Sequence, residues 1–274
     1  VKQLCAADVS KMDAAKHPQI TVWLVTNIMT RLCSVKRREV LKLCKEEALA
    51  SATTSEGVPY AVACSQLSGS PTTTLANTIT NAFMSYLAYR IENFDPAQSF
   101  GMLGIYVGDD SVSHNSAASI VEAGKQMGYK VEAEMFCIGQ NVPFLSRYFY
   151  ALWEGGPFSV QDPIRLLRKL HLSLAPKGVS AKQAAADKAR GIAELDCFVV
   201  FYRKLYETIR KITGLEGDAM RGSGYMAKQY LAGGGWPSDE RANEIWASMT
   251  QFNPEIFINW LDKVKTWTQF MRGP

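Results

Sequence analysis

The chain has 274 residues, 47% hydrophobic and 20% charged, enough to bury a substantial core as one large domain or two small ones. A formal net charge of +4 permits a nucleic-acid partner without establishing one. Six cysteines (Cys5, Cys33, Cys44, Cys64, Cys137, Cys197), with no C-x-x-C pair, and three histidines argue against a zinc site or a disulfide framework and for a reducing compartment. No apolar run approaches the roughly 18 residues of a membrane span, "ITVWLV" at 20–25 being the longest of note. There is no signal-peptide pattern. The opening "VKQLCAADVS", without a methionine, reads as the middle of a longer polyprotein or multidomain protein.

In chain order, "KQLCAAD" predicts a short strand ending at Asp8. A helix is expected over 18–33, where Ile20, Leu24, Ile28 and Leu32 recur every four residues. "SGSPTTTLANTITNAFMSYLAYR" begins as a loop and becomes a helix, with Ser70 as N-cap and Pro71 at the first helical position. Leu75, Ile79, Phe83 and Tyr86 form its apolar stripe, while Thr73, Asn77 and Asn81 line another face. Two β-runs, Met102–Val107 and Ser111–Ser113, flank Asp109 and Asp110 as a hairpin. A helix near 117–127 leads through Gly128 to the strand "YKVEAEMF", and a further hairpin is signalled around Gly139, Gln140 and Asn141. From about 157 helices dominate, broken at "APKG", "GLEG", "AGGGWP" and "FNPE". The pattern predicts an α/β domain to about 150 and a helical one beyond it.

Adjacent carboxylates repel unless a cation or proton separates them, so Asp109-Asp110 needs an explanation. A surface turn is one, because Gly-Asp is good turn chemistry. A metal is another. If the strand ending at Asp8 lies beside the hairpin, Asp8 and Asp109 face each other, and such a pair suits Mg²⁺, which takes hard oxygen ligands and leaves room for water and phosphate oxygens. Asp13 reads equally as a helix N-cap, Ser68-Gly69 as a tight turn, and "VKRRE" at 35–39 as a solvated helix end.

Taken together, Asp8 and Asp13 in "DVSKMD", Ser68, Gly69, Thr73 and Asn77 in "SGSPTTTLAN", and "GDD" at 108–110 resemble motifs A, B and C of viral RNA-dependent RNA polymerases. "EAGKQMGYKVE" is similar to motif D, with Lys125 in the place of its lysine and Lys130 as a nearby competitor. "PFLSRYF", with Phe144, Leu145, Ser146 and Arg147, resembles motif E. The form of motif B and "RLLRKLH" at 165–171 look like nodavirus-like positive-strand RNA virus replicases.

The resemblance implies an α+β fold: a polymerase palm over 1–150, its antiparallel sheet packed on helices, then a mainly helical thumb over 151–274, with the fingers absent from this chain. It implies an RNA-directed RNA polymerase, a nucleotidyltransferase using Mg²⁺ (or Mn²⁺). Asp8, Asp109 and Asp110, with the main-chain carbonyl of Val9, would hold the metals. Asp13 and Asn77 would read the ribose hydroxyls, Ser68 and Thr73 would arrange that contact, and Gly69 would let the template base pass. Lys125 would protonate the departing pyrophosphate, and Arg147 would contact primer phosphate. The implied partners are an RNA template, a primer or product strand, ribonucleoside triphosphates, and a fingers region or remainder of the replicase upstream of Val1. The implied setting is the host cytoplasm, in a membrane-associated replication complex held there by other segments.

Two alternatives stay open on the residues. A reverse transcriptase shares the two-metal palm but favours an aromatic residue where Val107 stands and a bulky one near Asp13. An inactive RNA-binding or assembly module would carry the same fold without its nucleotide-steering fingers.

Overall fold

The computed structural model describes residues 3–61, 65–67, 69–150, 152–154, 159–169, 177–196, 198–218, 240–250 and 254–273. It divides between Leu145 and Ser146 into two compact units.

Unit 1 is built on a four-stranded antiparallel sheet in the order β4-β5-β1-β6. Its strands are β1 (Gln3–Ser10), β4 (Ile105–Val107), β5 (Asp110–Ser113) and β6 (Lys130–Cys137). Strand periodicity sorts β1 into two faces: Cys5, Ala7 and Val9 are buried, while Asp8 is exposed. The buried face packs on α5 (Thr73–Ile91) and α7 (Ala117–Gln126) through Met84, Ala88, Ile120 and Ala123, joined by Tyr129 and Val131. Burying a large apolar side chain such as Met84 or Ile120 is worth about 1.5–3 kcal/mol, so this layer fixes which way β1 faces. The opposite face is covered at Val112 and Phe136 and open at the end that carries Asp8.

Between β1 and α5 the chain runs through α1 (Met12–Ala15), α2 (Pro18–Leu24), a π-helical turn at Val25–Met29, α3 (Thr30–Leu32) and α4 (Arg37–Ala48). A small hairpin of β2 (Ser51–Thr53) and β3 (Pro59–Ala61) follows. The helix expected over 18–33 is therefore one path with a π-helical interruption. The basic run at 35–39 leads into the exposed start of α4.

Four expectations are corrected. β1 runs two residues past Asp8, because Val9 and Ser10 still pair with β6. The helix α5 begins at Thr73 with Thr72 as N-cap; Ser70 instead closes a turn, its carbonyl accepting from the Thr73 amide (3.1 Å). Met102 caps the short helix α6 (Pro96–Gly101), which leaves only Ile105–Val107 for β4. β6 does not form a hairpin with β7 (Val142–Phe144), which lies outside the four-stranded sheet.

Unit 2 holds β8 (Arg147–Phe149) paired with β9 (Ser159–Gln161), then α8 (Pro163–Lys169), α9 (Ala181–Leu195), α10 (Val200–Thr213), α11 (Glu240–Thr250), α12 (Pro254–Lys263) and α13 (Trp267–Arg272). Its core centres on Phe201, Tyr202, Leu205 and Trp246, with the Trp246 indole donating to the Tyr202 hydroxyl (3.0 Å). The breaks expected at "AGGGWP" and at part of "APKG" lie outside the described residues. No described helix is long and apolar enough to cross a membrane.

Candidate active site

Register brings the acidic residues together. β1 and β5 pair so that Asp8 stands opposite Asp110, and β1 and β6 pair so that Asp8 stands opposite Glu132. Directly opposed residues of an antiparallel pair share a face, so Asp8, Asp110 and Glu132 form one row on the open side of the sheet. Asp109 occupies the β4–β5 turn, where Gly108 takes φ +63°, a conformation that suits glycine. The Val9 amide donates to the Asp109 carbonyl (3.2 Å), which ties this turn to β1.

The Asp8 carboxyl is pushed above the usual aspartate range, first by partial burial, then by the neighbouring Asp109 and Glu132 carboxylates. The two neighbouring carboxylates thus add to the effect of burial in disfavouring its charged form. Among the described residues no group of three or more His, Cys, Asp or Glu side chains closes on a single metal position. The donors present are hard carboxylate oxygens, a partial set that fits Mg²⁺ or Mn²⁺ completed by water and phosphate oxygens and does not fit a soft-metal cage.

A second constellation lies on α5. The Asn77 amide donates to Asp13 Oδ1 (2.7 Å), joining the segment after β1 to the helix. Asn77 is 6% exposed, and its Oδ1 is buried with no hydrogen-bond partner. A buried acceptor without a donor costs about 1–3 kcal/mol. Neither Asn77 nor Asn81 belongs to a solvated helix face; both are buried.

The loop leading into α5 is held by a polar network. Thr73 turns its hydroxyl back to the Leu67 carbonyl (2.6 Å), and the Gln66 amide donates to the Thr73 hydroxyl (3.3 Å) and to Glu47 (3.0 Å). Buried Lys16 donates to the Gln66 side chain (2.6 Å). Burial pushes the Lys16 ammonium down, and Glu47 and Asp13 oppose that. Gly69 sits in this loop at φ +87°, and Ser68 lies outside the described residues.

Lys125 is exposed in the last turn of α7, in the helical layer. Lys130 stands opposite Ser10 on β6, two residues from Glu132 and on the same face as Asp8, and it pairs with Glu132 (3.0 Å). In unit 2, Arg147 bonds Asp196 (2.5 Å), the Ser159 hydroxyl (2.8 Å) and the Ser159 carbonyl (3.0 Å). Its guanidinium therefore has a structural task there. The Gly108 amide donates to the Thr78 hydroxyl (2.9 Å) and the Asn81 amide to the Asp109 carbonyl (2.9 Å). Sequence did not single out Glu132 or Thr78, and placed Asn81 only on a helix face. Glu132 becomes visible only through strand register, and Asn81 carried no signal beyond its four-residue spacing from Asn77.

The chain belongs to the viral RNA-dependent RNA polymerase family, whose model matches residues 2–164. It is 31% identical over 245 residues to the RNA-directed RNA polymerase of Pieris rapae virus, covering 88% of this chain and 24% of that protein. It is 33% identical over 201 residues to that of Pariacoto virus, covering 69% of this chain and 20% of that protein. Nodavirus polymerases are thus among its relatives, in line with the resemblance of its motifs. The chain spans under a quarter of the length of these two curated relatives. The fold resembles that of the RNA-dependent RNA polymerase of a human picorbirnavirus, with a TM-score of 0.57 and 17% identity over 98% of this chain and 50% of that one.

Proposed function

We propose that this chain carries the nucleotidyl-transfer centre of an RNA-directed RNA polymerase that replicates a viral RNA genome. The observation that carries the reading is the register that sets Asp8 opposite Asp110 and beside Asp109 on an open sheet face. On this reading residues 1–150 are the palm and 151–274 the thumb, and the fingers come from polypeptide outside this chain. The substrates are an RNA template, a primer or product strand and ribonucleoside triphosphates. The setting is the host cytoplasm, within a membrane-associated replication complex.

Asp8, Asp109, Asp110 and the Val9 carbonyl would hold Mg²⁺ or Mn²⁺. Such ions, when bound, stabilise the charge that develops on the attacking and leaving oxygens of a phosphoryl displacement. In that displacement the primer 3′-oxygen bonds the α-phosphorus of the nucleotide, and the bond to pyrophosphate breaks. Asp13 and Asn77 orient the ribose: the unpartnered Asn77 Oδ1 accepts from a sugar hydroxyl while its amide stays on Asp13. Ser68, Gly69 and Thr73 shape the loop beside that sugar. Lys125 delivers a proton to the departing pyrophosphate, and Arg147 supports the primer strand.

Primer extension by the complete polymerase tests the reading. Asp8→Asn and Asp109→Asn should each abolish nucleotide addition, because losing a ligand carboxylate removes a contribution typically worth several kcal/mol. Near-normal extension by Asp109→Asn would refute it.

A further inference from the structure

The β4–β5 turn is held from two directions. From β1 comes the Val9 amide, donating to the Asp109 carbonyl (3.2 Å). From α5 come two side chains one turn apart: Thr78, whose hydroxyl accepts from the Gly108 amide (2.9 Å), and Asn81, whose amide donates to the Asp109 carbonyl (2.9 Å) and the Gly108 carbonyl (3.3 Å). Asn81 is 1% exposed, and a buried amide is costly unless it is hydrogen-bonded. The same stripe continues down the helix. Ser85 accepts from the Tyr106 hydroxyl (2.8 Å), and the Tyr89 hydroxyl accepts from the His114 amide (3.1 Å). Positions 78, 81, 85 and 89 thus tie the whole hairpin to α5.

We infer that Thr78 and Asn81 are positioning residues that fix the Asp109 main chain and so preset its carboxylate for a divalent cation beside Asp8. This rests on the polymerase reading of the site. With the backbone on both sides of the Gly108–Asp109 peptide held, only the side-chain torsions of Asp109 remain to be ordered when the ion arrives. The groups that orient a ligand rather than touch the metal commonly matter about 10–100-fold in metal affinity or activity. Asn77 lies beside Thr78 on the same helix, so one rigid element sets both the sugar contact and the aspartate turn.

The test uses the complete polymerase and two readouts: binding of Mn²⁺ alone, followed by loss of the free-ion electron paramagnetic resonance signal, and the Mg²⁺ concentration giving half-maximal primer extension. Thr78→Val keeps the side-chain shape but loses the hydroxyl, Thr78→Ser keeps the hydroxyl, and Asn81→Ala removes the amide. Thr78→Val and Asn81→Ala should weaken Mn²⁺ binding and raise the Mg²⁺ midpoint by roughly ten-fold or more, with Thr78→Ser close to wild type. Wild-type affinity and midpoint in Thr78→Val would overturn the inference, as would loss of its circular dichroism signal, since the bond would then hold the fold and not the aspartate. Asp109→Asn separates the two levels. If it binds Mn²⁺ as wild type does, the polymerase reading itself fails. If it loses the ion while Thr78→Val keeps it, only the positioning role fails.

Discussion

Asp8 concentrates the electrostatics of the site in one side chain. Its pKa is raised in the folded chain, so folding takes up protons there, and the stability that Asp8 contributes when protonated is lost as pH rises through its folded pKa. Without divalent cations, Asp8→Asn should therefore raise the melting temperature, and by more at pH 7 than at pH 4. Thermal melts of both proteins at both pH values check this, and Mg²⁺ should erase the difference by stabilising only the wild type. For Asn77 and Asp13, the expectation concerns sugar choice. A site built to bond a hydroxyl rejects an analogue lacking it. One hydrogen bond is worth about 0.5–1.5 kcal/mol, so Asn77→Ala or Asp13→Ala should lower the preference for ribo- over deoxyribonucleotides on the order of ten-fold. Matched incorporation efficiencies measure it, and an unchanged ratio in both variants would leave these residues a packing role. The two lysines can be separated in the same way. Lys125→Leu should slow single-turnover incorporation by roughly 10²–10⁴-fold if it is the general acid. A defect in Lys130→Leu alone would move the role to the residue that shares the face of Asp8.

At the scale of elements, sequence legibility followed the range of the interactions. The aspartate hairpin was readable because turn chemistry and alternation are local, and α7 because its periodicity is strong. The expected apolar stripe of α5 is not its buried face: Leu75 and Phe83 are exposed, while Asn77, Thr80, Asn81, Met84 and Ser85 are buried. What escaped depends on partners far along the chain. Glu132 joins the acidic row only through β1–β6 register, and Asn81 gains its meaning from a turn 27 and 28 residues away. Thr72 rather than Ser70 is the N-cap of α5, and its hydroxyl donates to Glu47 of α4, in a loop that Gln66 and Lys16 also hold. That network carries its own expectation. Gln66→Leu would take from buried Lys16 the acceptor of its hydrogen bond, at a cost of about 1–3 kcal/mol, while half-buried Glu47 keeps the Thr72 hydroxyl. Urea unfolding should register the loss, and a change below about 0.5 kcal/mol, typical of a surface substitution, would show that the network does not hold the loop.

The whole molecule divides into an α/β unit bearing every acidic site residue and a mainly helical unit with its own aromatic core. Composition and breaks predict a change of character near residue 150, and the two compact units part between Leu145 and Ser146. The pairing of Arg147 with Asp196 was not, because 49 residues separate them. Burial raises the Asp196 carboxyl, and Arg147 opposes that shift. Arg147→Met should therefore destabilise the second unit by about 3–5 kcal/mol at neutral pH, since it leaves a buried charge unpaired. The loss should shrink as the pH falls and Asp196 protonates, and pH-dependent chemical denaturation reads this directly. A pH-independent loss would mean that Arg147 acts through packing alone.

On the proposed function, Asp8 and Asp109 share bound divalent metal on the open face of the sheet. Anomalous diffraction from crystals of the complete polymerase soaked in Mn²⁺ tests it most directly. A manganese peak is expected within coordination distance of both carboxylates in the wild type, and its loss in Asp109→Asn. Manganese bound elsewhere, with no peak between Asp8 and Asp109, would contradict it.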